Sequence, residues 1–287
     1  MNNGVNEKGT KMGDAKRKEK LKEEHAQMET ILYDPANIEI KKFSSHKQDK
    51  ILCIYVPVTW PFVHAKFFEN FIKITNLANI GPLRRFGITD YFIHLEKTFP
   101  ICKNRNEAVL YARKHKADLI MFLDIDMSHP PDLIYRLAQH QLPIVAGMYF
   151  HKTPPHMPVL LNKKEGHEYE HYYDYPRDHL FDVDLTGLGC MLVDMRVFDD
   201  ITLPYFGYAS SRDDGIVDIS EDVLFCEKVK EKGYSIMIDP SVQCSHYAVV
   251  DVSAALFDVY MNKYKTYTEL LKIHSGELDP NGVPQDA

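Results

Sequence analysis

Two carboxylates two residues apart follow an unbroken apolar run, Leu119-Ile-Met-Phe-Leu123 leading into Asp124-Ile-Asp126. Five apolar residues bounded by polar ones predict a strand buried on both faces. On an extended backbone, residues i and i+2 point the same way, so Asp124 and Asp126 are expected on one side with Ile125 turned back to the core. Paired acids repel unless a cation lies between them. A hard divalent ion with oxygen ligands meets that need, and such an ion in turn holds phosphates. Ser128, Pro130, Pro131 and Asp132 then suit a helix start, with Ser128 as its cap. Acids at a strand's carboxyl end before a helix mark the ligand edge of an open α/β sheet. The plainer alternative is a loop pair that only caps the next helix.

Other residues could take part. Glu221-Asp222 opens a well-marked helix, Ser220 to Gly233, with a serine cap, acids first, lysines last and a glycine stop. Acids there serve the helix dipole without further role, or offer a base. Lys103 and Arg105 stand at another helix start, where cations oppose the dipole; an anion such as phosphate between them would remove the conflict. Solvated surface cations are the simpler reading. Gly187 and Gly189 allow close backbone approach, or mark a bulge. Trp60, the only tryptophan, can stack on a ring or sit at a rim. His246 follows what reads as a strand end. A second acid pair, Asp182-Val-Asp184, has no buried run before it and reads as a polar strand face, with Asp184 open to an acceptor-side role.

These residues need a scaffold, and the patterning supplies one. Strands are expected at 50–56, 87–94, 119–123, 143–147 and 234–238, with strand patterning again over 181–193 and a turn at Asp239-Pro240. Helices are expected at about 63–77, 104–116, 128–139 and 220–233. Alternation of this kind predicts an α/β fold with a mainly parallel sheet. His151 to Tyr175 is long for a connection without structure and is expected to carry function or mobility. Tyr205 to Asp218 reads as a loop. Residues 1–30 are polar with a basic centre and read as a frayed helix or disordered arm, and 31–50 as a linker. Val252 to Ile273 reads as an amphipathic helix whose apolar stripe can pair subunits into a homo-oligomer.

The chain has 287 residues, 45% of them hydrophobic, and a net charge of -7. That balance leaves room for a core and disfavours broad nucleic-acid binding. Five scattered cysteines without a C-x-x-C pair suggest a reducing compartment. No apolar leader or span is visible, so a soluble cytoplasmic protein is expected.

In order, Pro57-Val58-Thr59, Arg105-Asn106, Asp124-x-Asp126, Gly187-x-Gly189, Ser220-Glu221-Asp222 and Cys244-Ser-His246 resemble the metal-dependent GT-A glycosyltransferases. The resemblance is nearest to soluble, family-two-like members and covers about residues 50 to 250. It implies a Rossmann-like, nucleotide-sugar-binding mixed sheet, mainly parallel and flanked by helices. The division expected is an arm and linker over 1–49, a catalytic domain over 50–250, and a helix with a polar tail over 251–287. It further implies that one sugar passes from a nucleoside-diphosphate sugar to an acceptor hydroxyl with inversion. Asp222 would be the base, and Glu221 would support or orient the acceptor. Asp124, Asp126 and His246 would hold Mn²⁺ or Mg²⁺, with imidazole favouring manganese somewhat. Pro57, Val58, Thr59, Arg105, Asn106, Asp124 and Gly189 would line the donor. The Q-x-x-R-W motif of processive family-two synthases is absent, which favours single transfer. A nucleotidyltransferase and a non-catalytic nucleotide-sugar-binding module stay open as alternatives. A glycan, a protein, a small molecule and a modified nucleic-acid base all stay open as acceptors.

Overall fold

Apolar runs of strand length alternate with helical stretches, and both kinds of segment fold as their patterns require. The computed structural model describes residues 28–33, 38–43, 47–59, 63–79, 81–153, 155–164, 169–209, 220–248 and 259. Trp60, the arm through residue 27, residues 210–218 of the expected loop and all but one residue of the expected C-terminal helix lie outside that set. In chain order the strands are β1 (Met28–Tyr33), β2 (Ile38–Phe43), β3 (Lys50–Pro57), β4 (Ile88–Glu96), β5 (Leu119–Leu123), β6 (Met127–Ser128) and β7 (Ile144–Met148). Then come β8 (Leu160–Lys163), β9 (Tyr169–His171), β10 (Phe181–Val183), β11 (Leu185–Thr186), β12 (Cys190–Asp194), β13 (Ile236–Gln243) and β14 (Ser245–His246). The helices are α1 (Ala65–Asn79), α2 (Ile101–Lys114), α3 (Leu133–Ala138), α4 (Val197–Asp200) and α5 (Glu221–Glu231).

A seven-stranded sheet in the order β10-β13-β7-β12-β5-β3-β4 forms the centre. β3 runs parallel to β4 and β5, and β13 runs parallel to β7. β12 lies antiparallel between β5 and β7, and β10 antiparallel to β13. The protein is therefore α/β with a mixed, mainly parallel sheet. β5 is buried along its whole length. Its alternate residues serve opposite faces. Ile120 and Phe122 join a core that includes Ala108, Val109 and Ala112 of α2 and Phe225, Cys226 and Val229 of α5. Leu119, Met121 and Leu123 join a core that includes Phe67 and Ile74 of α1 and Leu133 and Leu137 of α3. Each of the larger side chains here (Val, Leu, Ile, Phe, Met), once buried, contributes about 1.5–3 kcal/mol. No helix among the described residues is long and apolar enough to cross a membrane.

Several expectations are corrected. Ser128 caps no helix: it belongs to β6, pairs with Ser245 of β14, and its hydroxyl accepts a hydrogen bond from Asn70 Nδ2 at 2.7 Å. The helix waits until Leu133, beyond Pro130 and Pro131. Asp239-Pro240 does not end its strand, since β13 runs through both, with a register irregularity that accommodates the proline. Asp239 braces the bend by accepting from the Ser241 N–H at 2.9 Å. The strand pattern over 181–193 divides among β10, β11 and β12. Part of the expected linker is a hairpin of β1 and β2, with Ile40 and Phe43 buried. The 151–175 segment contains β8 and β9, which form a three-stranded sheet with β11. The chain divides into a unit of Met1–Tyr247 and one of Ala248–Ala287.

Gly147 on β7 has no room for a side chain. A Cβ there would stand 2.8 Å from Val242 Cγ1, 2.9 Å from the Val242 carbonyl oxygen and 3.0 Å from Cys190 Sγ. Gly147→Ala is therefore expected to cost about 1–3 kcal/mol by overpacking. Urea unfolding would read this as a lower midpoint at unchanged slope.

Candidate active site

The antiparallel insertion of β12 builds the site. Cys190 pairs with Leu123, so the residues just before β12 meet those just after β5. The Asp124 N–H donates to the Gly189 carbonyl at 3.1 Å. β7 ends at the same edge and delivers Tyr149, whose hydroxyl accepts the Gly189 N–H at 3.2 Å. A Cβ on Gly187 would fall 2.0 Å from that hydroxyl and 3.2 Å from Asp222 Oδ2. One on Gly189 would fall 2.4 Å from Met127 Sδ and 3.1 Å from Asp124 Oδ2. Both glycines are thus required by the packing of Tyr149, Met127 and the acids. His129, buried beneath, donates from Nε2 to the Gly189 carbonyl at 2.9 Å, and burial lowers its basicity.

The acids do not lie along an extended strand. β5 stops at Leu123, and Ile125 and Asp126 form a turn. The extended geometry expected there is not kept, yet both acids reach one cleft, and Ile125 borders it as well as packing on the core. Asp124 turns to Arg105 Nη2 at 3.5 Å, while Asp126 accepts a hydrogen bond from Lys152 Nζ. β6 then pairs with β14, placing His246 opposite Met127. Asp126 also takes the Tyr247 N–H on its carbonyl at 2.8 Å.

Arg105 is 3% exposed and joins three carboxylates from two elements. Besides Asp124, its Nη1 donates to Glu221 Oε1 at 2.8 Å and to Asp222 Oδ1. Burial opposes its charge, but Asp222, Asp124 and Glu221 together hold the guanidinium above its ordinary pKa. Asp222 responds the other way. Burial pushes its carboxyl up to about 7, helped by repulsion from Glu221 and Asp124 and opposed by Arg105. Burial likewise raises the Tyr149 phenol, reinforced by Asp222 and Asp124.

Arg105 and its three carboxylates line one cleft of about 590 Å³, within the ~300–1,000 Å³ usual for small-molecule sites. Pro57 and Thr59 of the β3 end, Ile101 and Arg105 of α2, Asp124 to Asp126, Lys152, Glu221 and Asp222 form its walls. His64 and Tyr247 complete them, with rings stacked at 4.1 Å. Three expected donor residues stand elsewhere. Val58 packs against the core, its N–H bonded to the Glu96 carbonyl at 2.8 Å. Gly189 acts through its backbone behind Asp124. Asn106 accepts from the Tyr205 N–H at 2.8 Å and donates to the Phe206 carbonyl at 2.7 Å, which ties the segment after α4 to α2. Arg105 faces the carboxylates, not an open phosphate position.

His246 donates from Nδ1 to the Phe150 carbonyl at 2.6 Å, which leaves Nε2 as the nitrogen with a free lone pair in the neutral ring. Among the described residues no three His, Cys, Asp or Glu side chains converge to hold an ion. Asp124, Asp126 and His246 each face a different partner. The second acid pair is structural on the Asp182 side, where Lys230 Nζ and the Ile236 N–H donate at 2.7 Å each. Asp184 accepts the Lys163 N–H at 2.7 Å. Lys152 and Tyr149 were not singled out by the sequence. Their signal was weak: an aromatic and a cation just after an apolar run, at the head of the segment expected to carry function.

No family model matches the chain, and no curated protein matches it. Solved structures do. A197 from STIV is 17% identical with a TM-score of 0.46, over 69% of this chain and 85% of that one. GalNAc-T7 with UDP, GalNAc and Mn²⁺ is 10% identical with a TM-score of 0.42, over 87% of this chain and 54% of that one. A Bacillus anthracis protein assigned as a glucose-1-phosphate thymidylyltransferase, in complex with a sucrose, is 11% identical with a TM-score of 0.33, over 70% of this chain and 87% of that one. Likeness this distant assigns no function; the geometry of the cleft has to do so.

Removing Arg105 tests that geometry. Arg105→Met leaves three acids without their buried counter-charge and is expected to cost about 3–5 kcal/mol. The sign with pH comes from Asp222. Its native pKa already exceeds the unfolded value near 3.8 and would rise further in the variant. The native state then binds more protons than the unfolded one, so the deficit grows as pH rises. Urea unfolding at pH 5 and pH 8 should give the larger loss at pH 8.

Proposed function

We propose that this chain is a GT-A-type glycosyltransferase that moves one sugar from a nucleoside-diphosphate sugar to an acceptor hydroxyl with inversion. One observation carries the reading. The acid that ends β5 and the acids that open α5 share a single buried guanidinium in the wall of one cleft. A leaving-group site and a proton-accepting site are needed within one substrate's length, and the carboxylates proposed for the two roles line the same cleft.

Asp222 is the base. As the acceptor oxygen attacks the anomeric carbon, its proton passes to an Asp222 carboxylate oxygen, and the bond to the diphosphate breaks on the opposite face. A carboxyl pushed up to about 7 is a stronger base than an ordinary aspartate and is still substantially ionised near neutrality. Glu221 holds Arg105 and so keeps Asp222 oriented. Pro57 and Thr59 border the nucleoside side of the cleft.

The charge and the donor types of the cleft suit a divalent cation, although among the described residues Asp124, Asp126 and His246 do not converge on one point. Among the described residues, four carboxylates (Asp124, Asp126, Glu221, Asp222) face two cations (Arg105, Lys152) in this cleft. The excess is negative when all four acids are ionised, and a diphosphate alone would be repelled. Asp126 and Asp124 supply hard oxygen donors, and His246 has Nε2 available for the third position. Mn²⁺, or Mg²⁺, bound there would neutralise charge on the departing diphosphate. The turn after β3, Pro57-Val58-Thr59, lacks the glycines a nucleotidyltransferase phosphate loop uses.

A panel of sugar nucleotides with Mn²⁺ tests the reading, with free nucleoside diphosphate as product. Pyrophosphate release instead would favour nucleotidyl transfer. Binding without turnover would favour a binding module, and neither binding nor turnover would end the proposal. With an active donor, kcat/KM should climb with pH and level off above about 7, the limb set by Asp222. Asp222→Asn should lower turnover by about 10²- to 10⁴-fold while donor binding persists.

A further inference from the structure

Among the described residues, Lys152 is the cation of the cleft that is not built in. Arg105 is buried and shared among three acids, whereas the Lys152 and Asp126 side chains are 42% and 46% exposed. An ion pair this open is weak and readily exchanged. The backbone beneath it is fixed. Phe150 bridges to Pro158, the His151 N–H donates to the Met157 carbonyl at 2.9 Å, and the His156 ring nitrogen Nδ1 donates to the His151 carbonyl at 3.0 Å. The neck is tied to His246 as well, through the Phe150 carbonyl. Lys152 can therefore swing its side chain without the loop moving.

We infer that Lys152 is a phosphate-binding residue that exchanges partners: it holds the Asp126 charge until a divalent cation takes that carboxylate, then grips the diphosphate. The inference rests on the function proposed above and adds a residue to it. A divalent ion at Asp126 repels the ammonium group, and the diphosphate drawn to the ion presents oxygens in its place. A lysine does this well, being a compact charge on a flexible stem.

The two halves of the exchange move in opposite directions when Lys152 is removed. Lys152→Ala should bind manganese alone about two- to fivefold more tightly, because a competing cation is gone. It should bind pyrophosphate in the presence of manganese about 10- to 100-fold more weakly, because a charged hydrogen bond is lost. Lys152→Arg should keep pyrophosphate binding near the native level. Titration calorimetry with manganese, then with pyrophosphate at saturating manganese, reads both, and an exposed loop position leaves folding intact. If the native protein binds both probes and Lys152→Ala changes neither, the inference is overturned while the proposed function stands. Weaker manganese binding in Lys152→Ala overturns it too, since the residue would then support the ion. If the native protein binds neither probe, the proposed function fails and the inference falls with it.

Discussion

One buried guanidinium holds the site together. Arg105 sits where α2 enters the core, and its partners come from residues 19, 116 and 117 positions away. A lone charge in that position would cost several kcal/mol in desolvation, and only close carboxylates with good geometry offset it. The requirement works in both directions. The acids need the cation, so the β5 end and the start of α5 cannot drift apart without stranding one or the other. The position of α2 is secured separately: Asn104, fully buried, donates to the Glu96 and Thr98 carbonyls at 3.0 and 2.8 Å and accepts from the Tyr55 hydroxyl. The ion network is thus mounted on a neutral hydrogen-bond network that holds regardless of how the acids titrate.

The second constraint is topological. Were β5 and β7 direct neighbours, their carboxyl ends would crowd one another with nothing between. The antiparallel β12 puts a chain entrance there instead, and glycines at 187 and 189 keep it narrow. Tyr149 fills the space, packed against the backbone that carries Asp124 and close to Asp222. Burial raises both the Tyr149 phenol and the Asp222 carboxyl at this edge, and the charge of Asp222 pushes the phenol further up. Packing and acid–base behaviour at this edge have the same cause.

Much of this was legible in the sequence, and the rest was hidden for identifiable reasons. β5 declared itself by five apolar residues, α5 by its serine, acids, lysines and glycine, and the alternating order by runs of the right length. These are local signals, and local physics decides them. The turn at Ile125–Asp126 was not legible, because it exists to let β6 pair with β14, over a hundred residues later. Arg105 looked like a cation at a helix start facing an anion. Its anions are protein carboxylates, and nothing near residue 105 in the chain says so. Asn106 looked equally exposed to ligand, yet its amide is committed to Tyr205 and Phe206. Pro240 looked like a stop and is accommodated inside β13, because Asp239 satisfies the bend. Except at Pro240, where its neighbour Asp239 suffices, a tertiary partner overrode a correct local preference.

The two cations of the cleft divide its work by how they are held. A fixed charge is suited to a feature that must be the same before and after reaction. Arg105 meets that description: three carboxylates surround it, burial excludes water, and its proton is secure. A mobile charge is suited to a feature that changes as ligands arrive and leave. Lys152 meets that one: it spans open cleft from the tip of a braced loop to a half-exposed acid. Had the residues been reversed, a buried lysine among three acids would have lacked the fork needed to satisfy them together, and an exposed arginine would have held Asp126 with a second hydrogen bond and yielded it less readily. The choice of residue at each position follows from whether its partner is meant to stay.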